Sequence, residues 1–262
     1  MPEESTSPPA LPRERRQQEL ELLEQVGSVR VTQLARQFEV AEETIRRDLD
    51  LMGSQGLLIR THGGAMRVRS DTLDQPNAVR RTTLVPEKQA IARAAAGLIQ
   101  EGDALVLDAS TTALELARLI RVENLTVVTN AIDTARVLSE QKGIKVLLTG
   151  GELDEEAVEL IGPMADEGVR RFAFTKAFIS CKAVDPERGV SEATLLHASV
   201  KRWMIDCAKQ AYLLADHSKF GVRSTCFFCD LSDIDLLITD TKTDADLLDS
   251  LHEAGHKSLV AK

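Results

Sequence analysis

The chain has 262 residues, 43% of them hydrophobic and 28% charged, and its formal net charge at pH 7 is -9. This length allows a small and a larger domain, at about 100–200 residues each, and the acidic balance excludes a protein that coats nucleic acid indiscriminately. Because no run of about 18 apolar residues occurs and the N-terminus lacks the apolar core of a signal peptide, we expect a cytoplasmic protein with no membrane partner.

Three helices are predicted near the N-terminus, after a proline-bearing stretch over 1–12 that we expect to be a disordered tail. Apolar residues recur at helical spacing in each helix, and Gly27 ends the first. The segment 39–41 joins the second helix to the third, and so short a turn makes the two cross steeply. The apolar positions are Leu20, Leu23 and Val26, then Val31, Leu34, Ala35 and Phe38, then Ile45, Leu49 and Met52.

The third helix carries two adjacent arginines, Arg46 and Arg47, with Glu43, Thr44 and Asp48 on or beside the same outward face. In a helix-turn-helix, the N-terminal half of the second helix of the motif meets base edges. Arginine suits this position because its planar fork bonds bidentately to guanine or grips a phosphate, and threonine adds a hydroxyl. The pattern therefore predicts a helix that reads DNA.

Two short strands follow at 57–59 and 65–68, closed around the pair Gly63-Gly64, and they predict a β-hairpin wing. Residues 44–70 carry five arginines and two aspartates, a net charge of +3 in an acidic chain. Taken singly, these features also fit a solvated helix face and an ordinary hairpin turn. Their ordered combination favours a winged helix-turn-helix. The arginines expected along the wing are Arg60, Arg67 and Arg69.

Apolar runs alternate with helical patterns after a linker predicted at 70–86, which indicates an α/β domain with a mostly parallel sheet covered by helices. We expect the DNA-binding domain over 13–69 and an effector-binding and oligomerisation domain over 87–262. Predicted strands lie at 105–107, 126–128, 146–148, 177–179, 211–214 and 236–238. Predicted helices lie at 87–100, 112–120, 131–140, 192–208 and 243–254.

Polar residues follow several of these strands, and ligands of open α/β sheets bind at the carboxyl ends of the strands. The segment 108–112 leaves a strand and opens a helix through small and hydroxylic residues, so free N–H groups and hydroxyls form a site for a phosphate or other anion. Alternatively, Ser110 or Thr111 simply caps the helix.

Three further strand ends have similar character. Thr129-Asn130 is polar, and the glycines of 149–152 either let backbone approach a ligand or merely turn the chain. In 216–219, Lys219 suits a phosphate and Asp216 suits sugar hydroxyls, whereas the alternative is a surface turn with a salt bridge.

The four cysteines do not indicate a metal or redox site. Cys226 and Cys229 have metal-ligand spacing, but neither Cys181 nor Cys207 has a near neighbour to complete a second pair. We expect small apolar residues along a buried strand, with no metal and no cofactor.

Over almost its whole length the chain resembles the DeoR family of bacterial transcriptional regulators. Residues 16–65 look like the winged helix-turn-helix of that family, with its Thr-Ile-Arg-Arg-Asp-Leu signature at 44–49 and its His-Gly-Gly-Ala wing at 62–65. The resemblance implies double-stranded operator DNA as a partner. The expected DNA-binding residues are Thr32, Glu43, Thr44, Arg46, Arg47, Arg60, His62, Gly63, Gly64 and Arg67.

The second domain looks like the sensor domain of the same family, whose fold is similar to ribose-5-phosphate isomerase and coenzyme A transferase domains. The resemblance implies a phosphorylated sugar or related metabolite as effector. The effector-binding residues that it implies are Asp108, Ser110, Thr111, Thr112, Thr129, Asn130, Gly150, Gly151, Lys182, Ser191, Glu192, Asp216, Ser218 and Lys219.

Two positions depart from the family pattern. Ala41 stands where serine would cap the third helix, at a cost of about 1 kcal/mol, although Glu42 and Glu43 still favour the helix dipole. Thr175 stands where the family commonly has aspartate, so we expect a polar contact near the sheet edge to be missing.

An enzyme is the rival hypothesis, because Asp108, Glu192 and Lys219 offer a possible general base and a phosphate anchor. Against it, an isomerase needs no DNA-reading domain, and no pair of carboxylates is evident whose environments would separate their pKa values. We therefore expect no catalysis. A third hypothesis is a structural regulator without an effector, which a ligand-induced rise in melting temperature would exclude.

We expect a homo-oligomer, a dimer or tetramer, that associates through the second domain and presents paired DNA-binding domains to repeated half-sites. Most relatives repress and are released by their effector, so we expect repression of sugar or carbohydrate metabolism genes. The coupling must be a differential affinity of the effector for two arrangements of the protein.

Overall fold

A computed structural model describes residues 12–54, 57–61, 63–67, 77–222 and 224–262, without the side chains of Glu24 and Ile59. The chain divides into two compact units, Met1–Arg69 and Ser70–Lys262, which we call the head and the body. Several predictions fall partly or wholly outside the described residues: the tail over 1–12, whose last residue begins a helix, the wing strand over 65–68, the linker over 70–86, His62, and Arg69 of the wing.

The head consists of three helices and a small antiparallel sheet with strand order β1-β3-β2. Each predicted helix is present, and Gly27 ends the first with a φ of 85° and an N–H that donates to the Leu23 carbonyl. The elements are α1 (Pro12–Val26), β1 (Ser28–Arg30), α2 (Val31–Gln37), α3 (Glu42–Ser54), β2 (Leu58–Thr61) and β3 (Gly64–Arg67).

One apolar core holds the head together, and it buries Ile45, Leu49 and Met52 of α3 against α1, α2 and the sheet. Asp48 differs from its prediction on or beside the outward face. It is buried and accepts bonds from Arg15 and Arg16 of α1. The helical period places Asp48 beside Leu49, and the facing arginines of α1 offset the cost of burying its charge.

The wing owes its geometry to a close backbone approach at Gly64. Strand β1, which the sequence did not reveal, pairs with β3 and sets Arg30 opposite Gly64. A Cβ on Gly64 would lie 1.9 Å from the Val29 carbonyl oxygen, whereas one on Gly63 would meet nothing within 4 Å. Glycine is therefore required at the second position of the pair by packing, and the first occupies an open turn.

The body is an α/β unit built on a seven-stranded parallel sheet with strand order β15-β14-β12-β9-β4-β5-β6. A three-stranded antiparallel sheet and a two-stranded hairpin flank it. The strands are β4 (Ala104–Leu107), β5 (Leu125–Thr129), β6 (Ile144–Leu148), β7 (Glu152–Asp154), β8 (Glu159–Ile161), β9 (Phe174–Ile179), β10 (Ala183–Asp185), β11 (Gly189–Glu192), β12 (Ala208–Leu214), β13 (Cys226–Cys229), β14 (Leu236–Asp240) and β15 (Ser258–Ala261).

Helices cover this sheet. They are α4 (Asn77–Thr82), α5 (Val85–Ala96), α6 (Thr111–Leu119), α7 (Ile132–Ser139), α8 (Pro163–Arg170), α9 (Leu195–Asp206) and α10 (Ala245–Glu253). Phe178 of β9 packs into the apolar cluster formed with α5 and α6, while its neighbours Ala177 and Ile179 are equally buried outside that cluster. Successive strand residues point to opposite faces, so both faces of the sheet are covered.

All six predicted strands lie within observed ones, and the predicted helices of the body are present with shifted ends. The sequence reading missed β7, β8, β10, β11, β15 and α8, which are short and lack a sustained apolar period. Cys226 and Cys229 lie on a strand, β13, as expected. The stretch 70–86, predicted as a linker, contains helix α4 and the start of α5. The Asn77 side chain donates to the Ala157 carbonyl at 2.6 Å, which fixes the start of α4 on the body.

The contact expected to be missing at Thr175 is present, so that prediction is wrong. Its hydroxyl donates to Asp103 at 2.8 Å and accepts from the Ala104 N–H at 3.2 Å. Lys176 binds the same carboxylate at 2.5 Å. A hydroxyl at position 175 is sufficient for this contact, because the carboxylate comes from Asp103, directly before the neighbouring strand β4.

Across the parts of the chain that the structure describes, no helix combines the length and apolarity that crossing a membrane requires.

We predict that Gly64→Ala destabilises the head by about 1–3 kcal/mol, because β1 and β3 must separate to admit the methyl group. Gly63→Ala is the matched control and should change the free energy of unfolding by less than about 0.5 kcal/mol. Chemical denaturation of the full chain, followed by circular dichroism, measures both. Equal stability of the two variants would contradict the close approach.

Candidate functional site

The outward face of α3 presents two ion-paired arginines. Arg46 binds Glu42 at 3.0 Å and Arg47 lies 3.5 Å from Glu43, each pair spanning one helical turn. The Arg47 side chain is 79% exposed. Exposed pairs of this kind contribute about 0.3–0.5 kcal/mol, so both guanidinium groups can exchange their carboxylate for a phosphate or base at small cost.

The other predicted DNA contacts divide into exposed and inward groups. Thr32 is exposed on α2, Thr44 is half-buried on α3, and Gly63 is exposed in the wing turn. Arg67 is half-buried, and its N–H donates to the Gly27 carbonyl.

Arg60 has a structural position in the wing. Its guanidinium binds Asp50 of α3 at 2.7 Å and also donates to the carbonyls of Thr61 and Gly64. These bonds tie β2 to the recognition helix. The geometry favours a bracing role for Arg60, alongside the packing role of Gly64.

Glu19 lies beneath the recognition helix, with both carboxylate oxygens buried and accepting no hydrogen bond within the described part of the head. Its nearest cation is Arg15, at 3.8 Å, and Arg15 itself binds Asp48 at 2.6 Å. Burial and the Asp48 charge raise the pKa of Glu19 to about 7, against the opposing effect of Arg15 and Arg16. Glu19 of α1 therefore places a carboxyl group with a pKa near neutral beside the inward face of α3.

In the body, the carboxyl ends of five neighbouring strands bring most of the predicted effector residues to one side of the sheet, which we call the carboxyl edge; Ser191 and Glu192 lie on β11 of the antiparallel sheet. In order across the sheet these ends are 216–219 after β12, 180–182 after β9, 108–112 after β4, 129–130 after β5 and 149–151 after β6. Strands are spaced by about 4.8 Å, so the edge spans about 19 Å. A single small ligand contacts only part of it.

A buried ion cluster organises the centre of the carboxyl edge. Lys201 of α9 binds Asp108 at 2.9 Å and Glu192 at 2.5 Å, and it donates to the Ser180 carbonyl at 2.8 Å. Asp108 also accepts from the N–H groups of Ser110 and Ser180. The sequence reading missed Lys201, because a single lysine within a helix gives no signal of the carboxylates that fold around it.

These contacts fix the charge states of the cluster. Burial alone would lower the pKa of Lys201, but the carboxylates of Asp108, Glu192 and Glu159 outweigh it and raise that pKa. Burial likewise opposes ionisation of Asp108, whereas Lys201 and the bonds from residues 110 and 180 keep its pKa below the ordinary value. Asp108 is thus a permanent anion held by the protein and a poor general base.

The amino end of α6 stands beside this cluster. Ser110 caps the helix, since its hydroxyl accepts from the Ala113 N–H at 3.0 Å and its carbonyl from the Leu114 N–H. The capping alternative therefore holds for Ser110. The N–H groups of Thr111 and Thr112 have no intrahelical acceptor and face the carboxyl edge at the positive end of the helix dipole.

Asn130, after β5, carries a buried acceptor. Its amide nitrogen donates to Glu159 at 2.8 Å and to the Leu160 carbonyl at 3.2 Å, while its Oδ1 accepts no bond from the described residues. Thr129 has a local role, accepting from the Ala131 N–H. A buried acceptor without a donor fits a ligand hydroxyl.

At the β6 end, Gly150 and Gly151 have φ values of 76° and 126°, and a Cβ on Gly151 would lie 2.6 Å from the Ile161 carbonyl oxygen. Both glycines adopt backbone conformations that other residues rarely adopt, and they turn the chain after β6. On β11, Ser191 donates to the Ala183 carbonyl. After β12, Asp216 caps a short 3-10 turn over 217–219 through the Ser218 N–H.

Lysine ammonium groups gather on the β9 and β12 side of the edge. Lys182 and Lys219 form no ion pair or side-chain hydrogen bond with any residue that the structure describes. Lys88 of α5, which the sequence reading missed, is buried and donates to the Thr83 carbonyl at 2.8 Å. Burial and the adjacent cations lower the pKa values of Lys88 and Lys182 to about 8.

No group of three or more histidine, cysteine, aspartate or glutamate side chains within the described ranges could hold a metal ion. All four cysteines are free thiols. Cys226 and Cys229 lie three apart on one strand, so their side chains point to opposite faces. Burial raises the pKa of Cys229 to about 12.

Comparison with known proteins agrees with both halves of the molecule. Residues 15–71 match the DeoR-like helix-turn-helix domain, and residues 84–241 match the DeoR C-terminal sensor domain. The chain is 38% identical to the uncharacterized HTH-type transcriptional regulator YulB of Bacillus subtilis, over 88% of this chain and 90% of that protein. It is 36% identical to the transcriptional repressor AccR of Agrobacterium fabrum, over 92% and 94% respectively.

Among solved structures, a D-ribose-5-phosphate isomerase in complex with phospho-erythronic acid matches with a TM-score of 0.37 and 14% identity, covering 51% of this chain and 52% of that chain.

We predict that Glu19→Gln stabilises the head at pH 8 and leaves its stability nearly unchanged at pH 4. The folded head binds a proton at Glu19 more tightly than the unfolded chain, whose glutamate keeps the ordinary pKa of 4.5. The resulting stabilisation is complete below that value and is lost as the pH rises through about 7. The variant should gain on the order of 2 kcal/mol at pH 8.

Denaturant unfolding of the head transition at several pH values measures this effect. Glu21→Gln is the matched control, because Glu21 is exposed on the same helix and, within the described part of the head, accepts a bond from Gln17 alone. A Glu19→Gln gain that does not change with pH would show that Glu19 is ionised throughout.

Proposed function

The chain belongs to the DeoR family of transcriptional regulators, and we propose that it is a repressor whose affinity for operator DNA is controlled by a phosphorylated sugar bound at the carboxyl edge of the body. Regulation of sugar or carbohydrate metabolism genes follows from that effector class. The observation that carries the proposal is the placement of the α6 amino end and two lysines, Lys182 and Lys219, at the ends of neighbouring strands. The ammonium groups of both lysines have no ion-pair partner among the described residues.

The chemistry of this edge suits a sugar phosphate. A phosphate is bound by backbone N–H groups at a helix start together with lysine point charges. The ends of β4, β9 and β12 are neighbours in the sheet, so the two lysines and the α6 amino end lie within reach of one small ligand. Asn130 Oδ1, beside β4, offers an acceptor for a sugar hydroxyl.

Repression is carried over from the relative AccR, which is named a transcriptional repressor. We also propose that the protein acts in the cytoplasm, where it has access to chromosomal DNA. We further propose that it is a homo-oligomer. Paired heads match the two half-sites of an operator, and Leu195 and Met164 of the body, 76% and 72% exposed, offer apolar surface for association.

An isomerase-like activity is disfavoured by the geometry of its candidate residues. Asp108 and Glu192 both bind Lys201, and the pKa of Asp108 is lowered. Neither carboxylate is poised to accept a proton from a substrate. The relatives at 38% and 36% identity are transcriptional regulators.

The proposal is tested by measuring the affinity of the full chain for its own upstream intergenic DNA at fixed salt, while a panel of sugar phosphates is titrated. One compound should weaken DNA binding, and the corresponding free sugar should not. If a compound strengthens binding, the protein uses it as a co-repressor. If DNA binds and every compound leaves the affinity unchanged, effector control by a sugar phosphate is wrong.

We predict that Arg47→Ala weakens operator binding by about 1–3 kcal/mol, because an exposed guanidinium that reaches base or phosphate is lost. The effector affinity should stay unchanged. Arg118→Ala, which removes an exposed, ion-paired arginine of the body, is the matched control. Loss of DNA binding and effector binding together would contradict the division of roles between head and body.

We predict the reverse for Lys219→Ala, with operator binding retained and the response to the sugar phosphate abolished. The reason is the loss of a point charge that no carboxylate of the described residues neutralises. Lys242→Ala is the control, since Lys242 is 62% exposed and pairs with Glu87. The same titration of DNA affinity with the sugar phosphate, carried out on both variants, tests this prediction. An intact response to the sugar phosphate in Lys219→Ala excludes that lysine from the site.

A further inference from the structure

Three hydrogen-bonded side chains, which we call the polar bridge, connect α9 to the carboxyl end of β5: His197, Glu159 and Asn130. The His197 Nε2 lies 3.0 Å from one carboxylate oxygen of Glu159 on β8, and the Asn130 amide nitrogen donates to the other oxygen at 2.8 Å. Glu159 and Asn130 are only 6% and 1% exposed, whereas His197 is half-buried. The bridge thus runs from the rim of α9 to a buried amide at the carboxyl edge.

The amide of Asn130 has one possible orientation in this arrangement. Its nitrogen donates to Glu159 and also to the Leu160 carbonyl at 3.2 Å, so both amide hydrogens have acceptors on β8. Rotating the amide by half a turn would set its oxygen against two acceptors. Oδ1 is therefore directed away from them, and although buried it accepts no bond from the described residues. A group that pairs with Oδ1 must be a hydrogen-bond donor.

This orientation depends on the Glu159 side chain more than on the backbone. The Leu160 N–H donates to the Asn130 carbonyl at 2.8 Å, which fixes the main chain at position 130 and leaves the side chain able to rotate. A carboxylate as buried as Glu159 needs partners on both oxygens to offset its lost hydration. His197 supplies the partner of one oxygen, so it holds the carboxylate in the position that Asn130 requires.

His197 is itself held as a donor toward this carboxylate. A carboxylate only accepts, so the Nε2 that faces Glu159 carries the hydrogen whether the ring is neutral or charged. The Thr194 hydroxyl contacts Nδ1, and Asp154 of β7 lies 3.5 Å from Nε2. The hydrogen bond to Glu159 raises the pKa of His197, against the opposing effect of burial.

We propose that His197 is a positioning residue of the effector site: through Glu159 it fixes the Asn130 amide with Oδ1 toward the ligand, so that the site selects a phosphorylated compound with a hydroxyl at this point. This inference rests on the proposed function and adds a rule of specificity to it. A deoxy compound, or one with a carbonyl or carboxylate at the same point, lacks the donor and leaves Oδ1 unpaired. Such an unpaired buried acceptor lowers affinity.

The place of Asn130 in the sheet suits a short polyol phosphate. Asn130 follows β5, which is the neighbour of β4, and the end of β4 leads into helix α6. Adjacent strands lie about 4.8 Å apart. A short carbon skeleton spans a comparable distance, so a phosphate at the α6 amino end and a hydroxyl at Asn130 can belong to one molecule.

Calorimetric titration of the full chain with two matched probes tests this inference. The probes are racemic glycerol 3-phosphate and n-propyl phosphate, which carry the same phosphate and differ in their hydroxyl groups. The readout is the ratio of the two dissociation constants. The wild type should bind glycerol 3-phosphate about threefold to tenfold more tightly, as expected for one hydrogen bond to a buried acceptor. His197→Ala should bring this ratio close to one.

Further variants separate positioning from packing. His197→Gln should keep the wild-type ratio, because the glutamine amide can donate to Glu159 in place of Nε2. Asn130→Ala should lose the ratio as His197→Ala does. His252→Ala is the matched control and should keep it, since His252 is exposed on α10 and contacts Ser258. Should His197→Ala fail to fold, His197→Leu removes the donor and retains the bulk, with the same expected loss.

The outcomes distinguish the inference from the function on which it rests. If neither probe binds the wild type, the phosphate site itself is wrong. If both probes bind equally tightly, the phosphate site stands and selection of a hydroxyl is wrong. A preference lost in Asn130→Ala but kept in His197→Ala would show that the acceptor needs no help from His197. A preference lost in both His197→Ala and His197→Gln would overturn positioning through the bond to Glu159.

Discussion

The body depends on one buried ammonium. Lys201 reaches from α9 to Asp108 after β4, to the Ser180 carbonyl after β9 and to Glu192 at the end of β11. Removing one partner of such a cluster leaves an uncompensated buried charge and typically costs about 3–5 kcal/mol. The cluster therefore fixes the relative positions of the strand ends on which the candidate effector site is built.

Because Lys201 is neutralised by two carboxylates, the remaining cations of the edge determine its character. Lys182 follows β9, Lys219 follows β12, and Lys88 lies close enough to Lys219 to feel its charge. Carboxylates thus organise this edge of the sheet, and the lysines without an ion pair among the described residues are the charges that would meet a ligand. The same division explains why Asp108 is unsuited to catalysis, since its charge is used to hold the scaffold.

The head also combines buried ion pairs that hold its elements together with exposed ones that can exchange partners. Arg15 and Arg16 hold Asp48 beneath α3, which leaves Arg46 and Arg47 to the exposed face with only weak surface pairs. Fixed ion pairs underneath and exchangeable ones outside suit a helix that must keep its position while trading partners with DNA. Glu19, which accepts no hydrogen bond from the described residues, is the group of this arrangement most sensitive to pH.

The sequence by itself determined what depends on local periodicity and composition. The three helices of the head, six of the seven strands of the parallel sheet, the exposed arginines of α3 and the polar strand ends all follow from apolar spacing and from the rule that ligands gather at carboxyl ends. The missing serine cap at Ala41 and the turn at Gly63-Gly64 could also be predicted from the sequence, because caps and turns depend on neighbouring residues.

Only the tertiary structure decided which polar groups are used by the protein and which remain for a ligand. Lys201 lies on a helix whose sequence gives no sign of its partners, since Asp108 and Ser180 come from segments distant along the chain. Asp48, Arg60 and Gly64 have structural contacts that spacing could not reveal. Ion pairing and close backbone approach are properties of the folded chain, so the roles of these residues become visible only when the elements are packed together.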